Sequence, residues 1–425
     1  MSAGAVSPGT GAQPARALGL WSLLALGING IVGVGIFFTP NLVAGLVPGG
    51  RGVWAYALTL LALLPVAMTY ARLGARFDRD GGPYVWARAA FGERAGFIVG
   101  FAAYASAVLS TSAVLAGLGE YTAPLLGLGA HKQLFSLLCA GVFGAIVLAG
   151  LKPSAWVWTT LTVAKLAPLV ALVAVFVLGQ HAEVAACPPG AQVSWSRAVL
   201  LIVFAMQGFE IVPVPGSQVR SPARTIPIAT IGSLVLCAGL YMLLHAACVS
   251  ALPGLAGTEA PLIAAARRLG GEGLSRFVSA GTNVSAVGIA FGMLAMTPRY
   301  LAALAGSGSK MGFSEGESQH GVPRRALFVT LVFVVTLLSW GALSRLFVLS
   351  SVAVLFQYSV SVVSLGRLAW SRAHGLVPRD ALPAPLALVA LLAVARAVER
   401  VELLVMGGIL LVALLLWFVR VRISR

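Results

Sequence analysis

Long apolar runs separated by short polar segments recur along the whole chain. A helix of about 20 apolar residues crosses a bilayer. The spacing therefore predicts about twelve spans, at 18–46, 52–76, 95–126, 132–150, 155–179, 196–216, 226–251, 274–306, 326–341, 344–370, 383–398 and 402–421. The third and eighth are long enough to tilt. Two of the twelve are interrupted. The first carries Gly30-Ile31-Val32-Gly33-Val34-Gly35-Ile36-Phe37. The sixth carries Gly208-Phe209-Glu210, then Pro213, Pro215 and Gly216. Each interrupted run opens a set of five spans, 18–179 and 196–370, with two further spans at 383–421. That arrangement predicts an all-α integral membrane protein with an inverted five-plus-five repeat and discontinuous helices 1 and 6.

Composition agrees with the pattern. Of 425 residues, 59% are hydrophobic and 10% charged, and the mean hydropathy is +0.94. Soluble domains carry about 25% charged residues, and no segment here is long enough to be one. The net charge of +16 is explained by topology. Basic residues such as Arg72, Arg76, Arg79, Arg88 and Arg94 fall in alternate loops, outnumbering those of the intervening loops by roughly two to one. This places both termini inside, in a multi-pass cytoplasmic (inner) membrane protein. No Lys/Arg run with interleaved aromatics suits a nucleic acid. Residues 1–17, rich in Gly, Ala, Ser and Pro, read as a disordered cytoplasmic tail. Two stretches, 84–91 and 260–270, read as membrane-surface helices or as plain connecting helices.

Cys139, Cys187, Cys237 and Cys248 lack metal-ligand spacing and imply no disulfide framework. No zinc-protease, serine-hydrolase or P-loop signature is present. The chain therefore reads as a non-enzyme without a cofactor, driven by an ion gradient or by exchange.

The interruptions carry the candidate chemistry. Unwound backbone in a bilayer exposes donors and acceptors that need a polar partner. At the first break the N–H groups of Val34, Gly35 and Ile36 open a second half-helix, whose partial positive charge suits a carboxylate. Gly33 and Gly35 let a ligand approach the backbone closely. At the second break the carbonyls of residues 204–207 end a half-helix and suit an ammonium group. Together they describe a zwitterionic α-amino acid. The competing reading of the first motif is a close-packed helix interface.

Other residues leave two readings each. Glu210 is a hydrogen-bonded brace for the second break or a proton-coupling group. Lys165 reaches the carbonyls of the first break, holding the place of a sodium ion, or snorkels to the surface. Phe204 is an aromatic gate or a core side chain. Asn29, Ser110, Asn283, Ser285 and Gln357 are interhelical hydrogen-bonding groups or ligand contacts. His245 reads as a core histidine.

With these residues in order, the chain resembles amino acid permeases of the amino acid–polyamine–organocation (APC) superfamily, from about Leu18 to Arg372. The resemblance rests on Gly33-Val34-Gly35-Ile36-Phe37, on Gly81-Gly82-Pro83-Tyr84 with Phe91-Gly92, and on Phe204-Ala205-x-x-Gly208-Phe209-Glu210. Pro222-x-Arg224-Thr225-Ile226-Pro227, Arg299-Tyr300-Leu301 and Gly321-Val322-Pro323 follow in the family's order. It implies carboxylate contacts from the Val34 and Gly35 N–H groups. It also implies ammonium contacts from the Ile31, Phe204 and Gln207 carbonyls beside Gly208, with Phe204 as gate. Lys165 matches a lysine of sodium-independent members. Val34 replaces the family's usual serine, and Ser217-Gln218 stand where two acids are usual.

The expectation is a secondary transporter of an amino acid or related amine, working by alternating access without sodium, by proton coupling or exchange. The alternatives are a transporter-like sensor or non-transporting partner subunit, and, third, a membrane enzyme.

Overall fold

The computed structural model describes residues 18–77, 81–149, 155–179, 193–305, 323–340 and 343–424. The expected tail at 1–17, Cys187 and the Gly321-Val322 part of one motif lie outside the described residues. Within them the chain forms fourteen α-helices and no sheet. These are α1 (Leu20–Ile31), α2 (Gly35–Leu46), α3 (Gly52–Arg76), α4 (Pro83–Phe91), α5 (Glu93–Leu125), α6 (Lys132–Leu148) and α7 (Ala155–Leu178). Then follow α8 (Trp195–Met206), α9 (Pro222–Ala251), α10 (Pro261–Ala305), α11 (Arg324–Trp340), α12 (Leu343–Trp370), α13 (Pro383–Ala395) and α14 (Arg400–Ser424).

Among the described residues eight helical segments are long and apolar enough to cross a membrane, or nine with α1 and α2 taken as one span bent by 48°. Thr162–Leu178 and Trp195–Met206 are shorter apolar helices. With α11, they stand where the fifth, sixth and ninth spans are expected. The chain is thus an all-α, multi-pass membrane protein. Trp54, Leu61, Leu138, Leu236, Leu386 and Leu404 are all exposed. Such surfaces are stable only against lipid tails. Of the long spans, α5 and α12 are the most enclosed and α14 the least.

Lipid tails are as apolar as leucine, so helices associate by close contact at small residues. A Cβ added at Gly27 of α1 would lie 2.5 Å from the Ser233 hydroxyl of α9, and one at Gly281 of α10 would lie 2.1 Å from the Pro168 ring of α7.

Two expected elements differ. The span at 274–306 and the surface helix at 260–270 are joined as α10, with a break at Gly271 (φ 74°, ψ −168°). That backbone conformation is open to glycine and strained for other residues, which is why the chain turns there. The second interrupted run does not resume as an α-helix after its break. Residues 209–211 and 216–218 form short 3₁₀ turns. Pro213 and Pro215 lack the N–H groups that an α-helix would require. This segment closes instead on the start of the chain. Leu18 N–H donates to the Gln218 carbonyl at 3.0 Å, and Arg220 N–H to the Leu18 carbonyl at 2.9 Å.

The last two helices are tied to the middle of the fold by charge. Arg197, in the first turn of α8, donates to Glu402 of α14 from both Nη1 (3.1 Å) and Nη2 (2.7 Å). It also donates to the Ala397 carbonyl at 3.1 Å. Arg197→Met leaves the Glu402 carboxylate without its cation. The expected loss is about 2–3 kcal/mol, below the 3–5 of a fully buried pair because the Arg197 side chain is 25% exposed. A thermal unfolding scan of the purified variant reads it as a lower Tm.

Candidate functional site

The first break is short. Helix α1 ends at Ile31, Val32 leaves the helical region (φ −74°, ψ 88°), and α2 restarts at Gly35. The Val32 N–H still bonds to the Ile28 carbonyl at 2.8 Å, and the Phe37 N–H to the Val34 carbonyl at 3.1 Å. Among the described residues the N–H groups of Gly33, Val34, Gly35 and Ile36 have no backbone acceptor. They form the donor set at the start of α2.

The second break faces the first. Helix α8 ends at Met206, Gln207 turns extended (φ −63°, ψ 151°), and Gly208 lies at φ 124°. The two breaks touch backbone to backbone. A Cβ built on Gly208 would be 2.2 Å from the Gly30 carbonyl carbon and 2.5 Å from the Ile31 nitrogen. A Cβ on Gly35 would be 2.8 Å from the Ala205 Cα of α8. Gly33 is the open position, with the Ile289 Cδ1 as nearest atom at 3.4 Å. Gly33 is thus the open glycine of the break, while Gly35 serves the packing of α2 on α8.

The carbonyls on both sides of the first break are held by side chains. Lys165 of α7 is 1% exposed, and its Nζ donates to the Asn29 carbonyl at 2.8 Å and the Val32 carbonyl at 2.7 Å. The ammonium thus points at the break and not at the surface. Tyr241 of α9 donates to the Ile31 carbonyl at 2.9 Å, and Tyr121 of α5 to the Phe37 carbonyl at 2.7 Å. The Ile31 carbonyl, expected to face an ammonium group, thus has one lone pair occupied and one left.

Around the second break, the end of α8 and the turn that follows it meet α12 in three rungs. Phe204 stacks on Phe347, with ring centroids 4.1 Å apart and planes at 17°. One turn on, the Ser350 hydroxyl donates to the Gln207 Oε1 at 3.2 Å. Below that, Glu210 Oε2 accepts the Tyr358 hydroxyl at 3.0 Å and the Gly208 N–H at 2.8 Å. Tyr70, Trp86, Phe209 and Tyr358 then form an aromatic plug, with Tyr70 5.0 Å from the Trp86 ring and 5.6 Å from that of Tyr358. Val34 is buried and its side chain faces Gly117 of α5, where an added Cβ would lie 3.4 Å away.

Ile31, Gly33, Val34, Gly35, Lys165, Phe204, Gln207, Gly208 and Glu210 thus converge on one region. The remaining polar candidates separate. Ser110 joins Ser350 at 2.6 Å, next to Gln207. Asn283 bonds Thr122 at 2.6 Å and Gln357 bonds Tyr70 at 3.2 Å, both between helices. The buried Ser285 hydroxyl has no partner among the described residues. Sequence reasoning missed Tyr241, Phe347, Ser350 and Tyr358. The signal was faint: a tyrosine in an apolar span needs a partner for its hydroxyl, but nothing local names that partner.

The family model described as "Amino acid permease" matches residues 18–419. An uncharacterized transporter of Mycobacterium tuberculosis is 29% identical over 389 residues, covering 85% of this chain and 83% of the relative. The branched-chain amino acid permease BcaP of Bacillus subtilis is 28% identical, with 80% of each chain covered. The serine/threonine exchanger SteT of the same organism is 26% identical, with 68% of each covered. With its two apposed backbone breaks and a family match over nearly its whole length, the chain belongs to the amino acid permease family.

Proposed function

We propose that the protein is a secondary transporter that moves an amino acid or related amine across the cytoplasmic membrane by alternating access. The observation that carries this reading is the apposition of the two breaks at Gly30 and Gly208. A row of free N–H groups stands on one side and a half-helix C-terminus on the other. The N–H groups of Val34 and Gly35 take the substrate carboxylate. The carbonyls of Ile31, Phe204 and Gln207 take its ammonium group. Residues 18–179 and 196–370 are the two rocking repeats, with both termini inside. The names of the relatives support an amino acid substrate.

Phe204 and Phe347 close the outer side, and the aromatic plug around Tyr70 closes the inner one. Glu210 braces the second break. Its Oε2 accepts the Gly208 N–H within the turn and the Tyr358 hydroxyl from α12, which fixes its place. Lys165 stands where a sodium-coupled carrier needs a cation, since an ammonium group bridging two break carbonyls leaves no vacancy for one. Coupling is then to protons or to exchange.

The test is uptake of labelled amino acids into liposomes holding only the purified protein. Saturable uptake is expected, unchanged when sodium is replaced by choline. Strict dependence on sodium contradicts the role given to Lys165. Saturable binding of amino acids without uptake or exchange favours a sensor or non-transporting subunit.

A further inference from the structure

The second rung between α8 and α12 is chemically unlike the other two. Phe204 and Gln207 are three residues apart at the end of α8, so they share a face. Phe347 and Ser350 are likewise three apart on α12. The aromatic pair above is complete. The polar pair below is not. Ser350 is fully buried and gives its one proton to the Gln207 Oε1 at 3.2 Å. Ser110, 2.6 Å away on α5, is then the donor to Ser350. The chain of bonds ends at Gln207 Nε2, which is buried and has no partner among the described residues. Reversing the carboxamide reverses the chain and leaves Oε1 without a partner instead. A buried amide with an unmade bond is unfavourable unless something arrives to complete it.

We propose that Gln207, held by Ser350 and Ser110, is the side-chain subsite of the transporter, and that its substrates are amino acids with a neutral hydroxyl or carboxamide side chain. This rests on the amino acid reading above and narrows it. Gln207 caps the half-helix that receives the substrate ammonium, so its side chain lies beside the α-carbon of a bound amino acid. A hydroxyl both donates and accepts, and it completes the Gln207 amide in either orientation. So does a carboxamide. A methyl group in the same place leaves the amide unpaired. A charged side chain gains less here, because Lys165 already bonds the Asn29 and Val32 carbonyls and Glu210 the Gly208 N–H and the Tyr358 hydroxyl.

The test is binding to the purified full-length protein, followed by thermal stability against amino acid concentration. Threonine and valine have the same shape and differ by hydroxyl against methyl; asparagine and leucine make a second pair. Wild type is expected to bind threonine at least about tenfold more tightly than valine, the size of one buried polar group left unpaired. Arginine and aspartate are expected to compete only weakly. In Gln207→Met the threonine-to-valine ratio falls to about one. In Ser350→Ala, which frees the carboxamide, it falls part of the way. Each ratio is taken within one variant, so a general loss of stability does not affect it. If Gln207→Met does not fold, the wild-type ratio and Ser350→Ala decide. Valine binding as well as threonine in wild type overturns the proposal, as does an unchanged ratio in the variants. If no amino acid of any class stabilises wild type, the amino acid reading itself falls, and the subsite with it.

Discussion

Gly208→Ala is expected to lower the Tm sharply and to reduce the yield of monodisperse protein. The added Cβ would stand 2.2 Å from the Gly30 carbonyl carbon and 2.5 Å from both the Gly30 oxygen and the Ile31 nitrogen. All three are backbone atoms of the opposing break, so no side chain can swing aside. The residue also sits at φ 124°, where any L side chain is strained. Overpacking costs about 1–3 kcal/mol and the strained backbone about 1–3 more. The sum, about 2–6 kcal/mol, consumes a large share of a stability that is typically about 5–15 kcal/mol. Gly33→Ala is the matched control. Its Cβ meets the end of the Ile289 side chain at 3.4 Å and the Ile31 carbonyl oxygen at 3.9 Å. It is expected to fold with a near-normal Tm and to transport poorly, because the methyl group stands beside the N–H groups of α2. Size-exclusion profiles and thermal unfolding scans of the two variants check the pair. Gly208→Ala with the Tm of wild type would contradict the apposition of the breaks.

The second large effect is expected at Lys165. Replacement by methionine keeps the stem and removes the ammonium group, so the carbonyls of Asn29 and Val32 lose their donor. Each buried polar group left unpaired costs about 1–3 kcal/mol, giving about 2–6 for the two. Part of that is offset, because a charge no longer has to be held inside the bilayer, at about 2.5–3.5 kcal/mol on insertion scales. The net change in Tm is therefore modest. The change in transport is not, because the carbonyls it held are free to rotate and the break loses its shape. Uptake is expected to fall to background in a variant that still purifies as a folded protein. Uptake at the wild-type rate would show that the lysine is only a packing residue.

Much of this site was legible in the chain before any coordinates. Glycines and prolines at mid-span announce a broken helix because a bilayer supplies no alternative partner for the backbone. That placed the first break within a residue or two of where α1 and α2 part. A lone lysine in an apolar span must find oxygens, and carbonyls at a break are the obvious ones. Prolines at 213 and 215 announced an interruption, but not that the segment would abandon the α-helix altogether. The outcome depended on Leu18 being at hand to pair with Gln218 and Arg220, a contact across some 200 residues of chain that no local pattern encodes. Phe347, Ser350 and Tyr358 were hidden for the same reason. In sequence they are ordinary members of an apolar run, and only the approach of α12 to α8 makes them partners of Phe204, Gln207 and Glu210. Glu402 was hidden by position. It lies at the start of the last span, where an acid is usually wet, yet it is 8% exposed and bonded to Arg197.

The central claim is that one break reads a carboxylate and the other an ammonium group. Competition against labelled threonine uptake into liposomes of the pure protein tests this most directly, using threonine, N-acetyl-threonine and threonine methyl ester as unlabelled competitors. Each derivative keeps the side chain and removes one of the two charges. The account predicts competition by threonine alone. Competition by either derivative at the same concentration as threonine would contradict it.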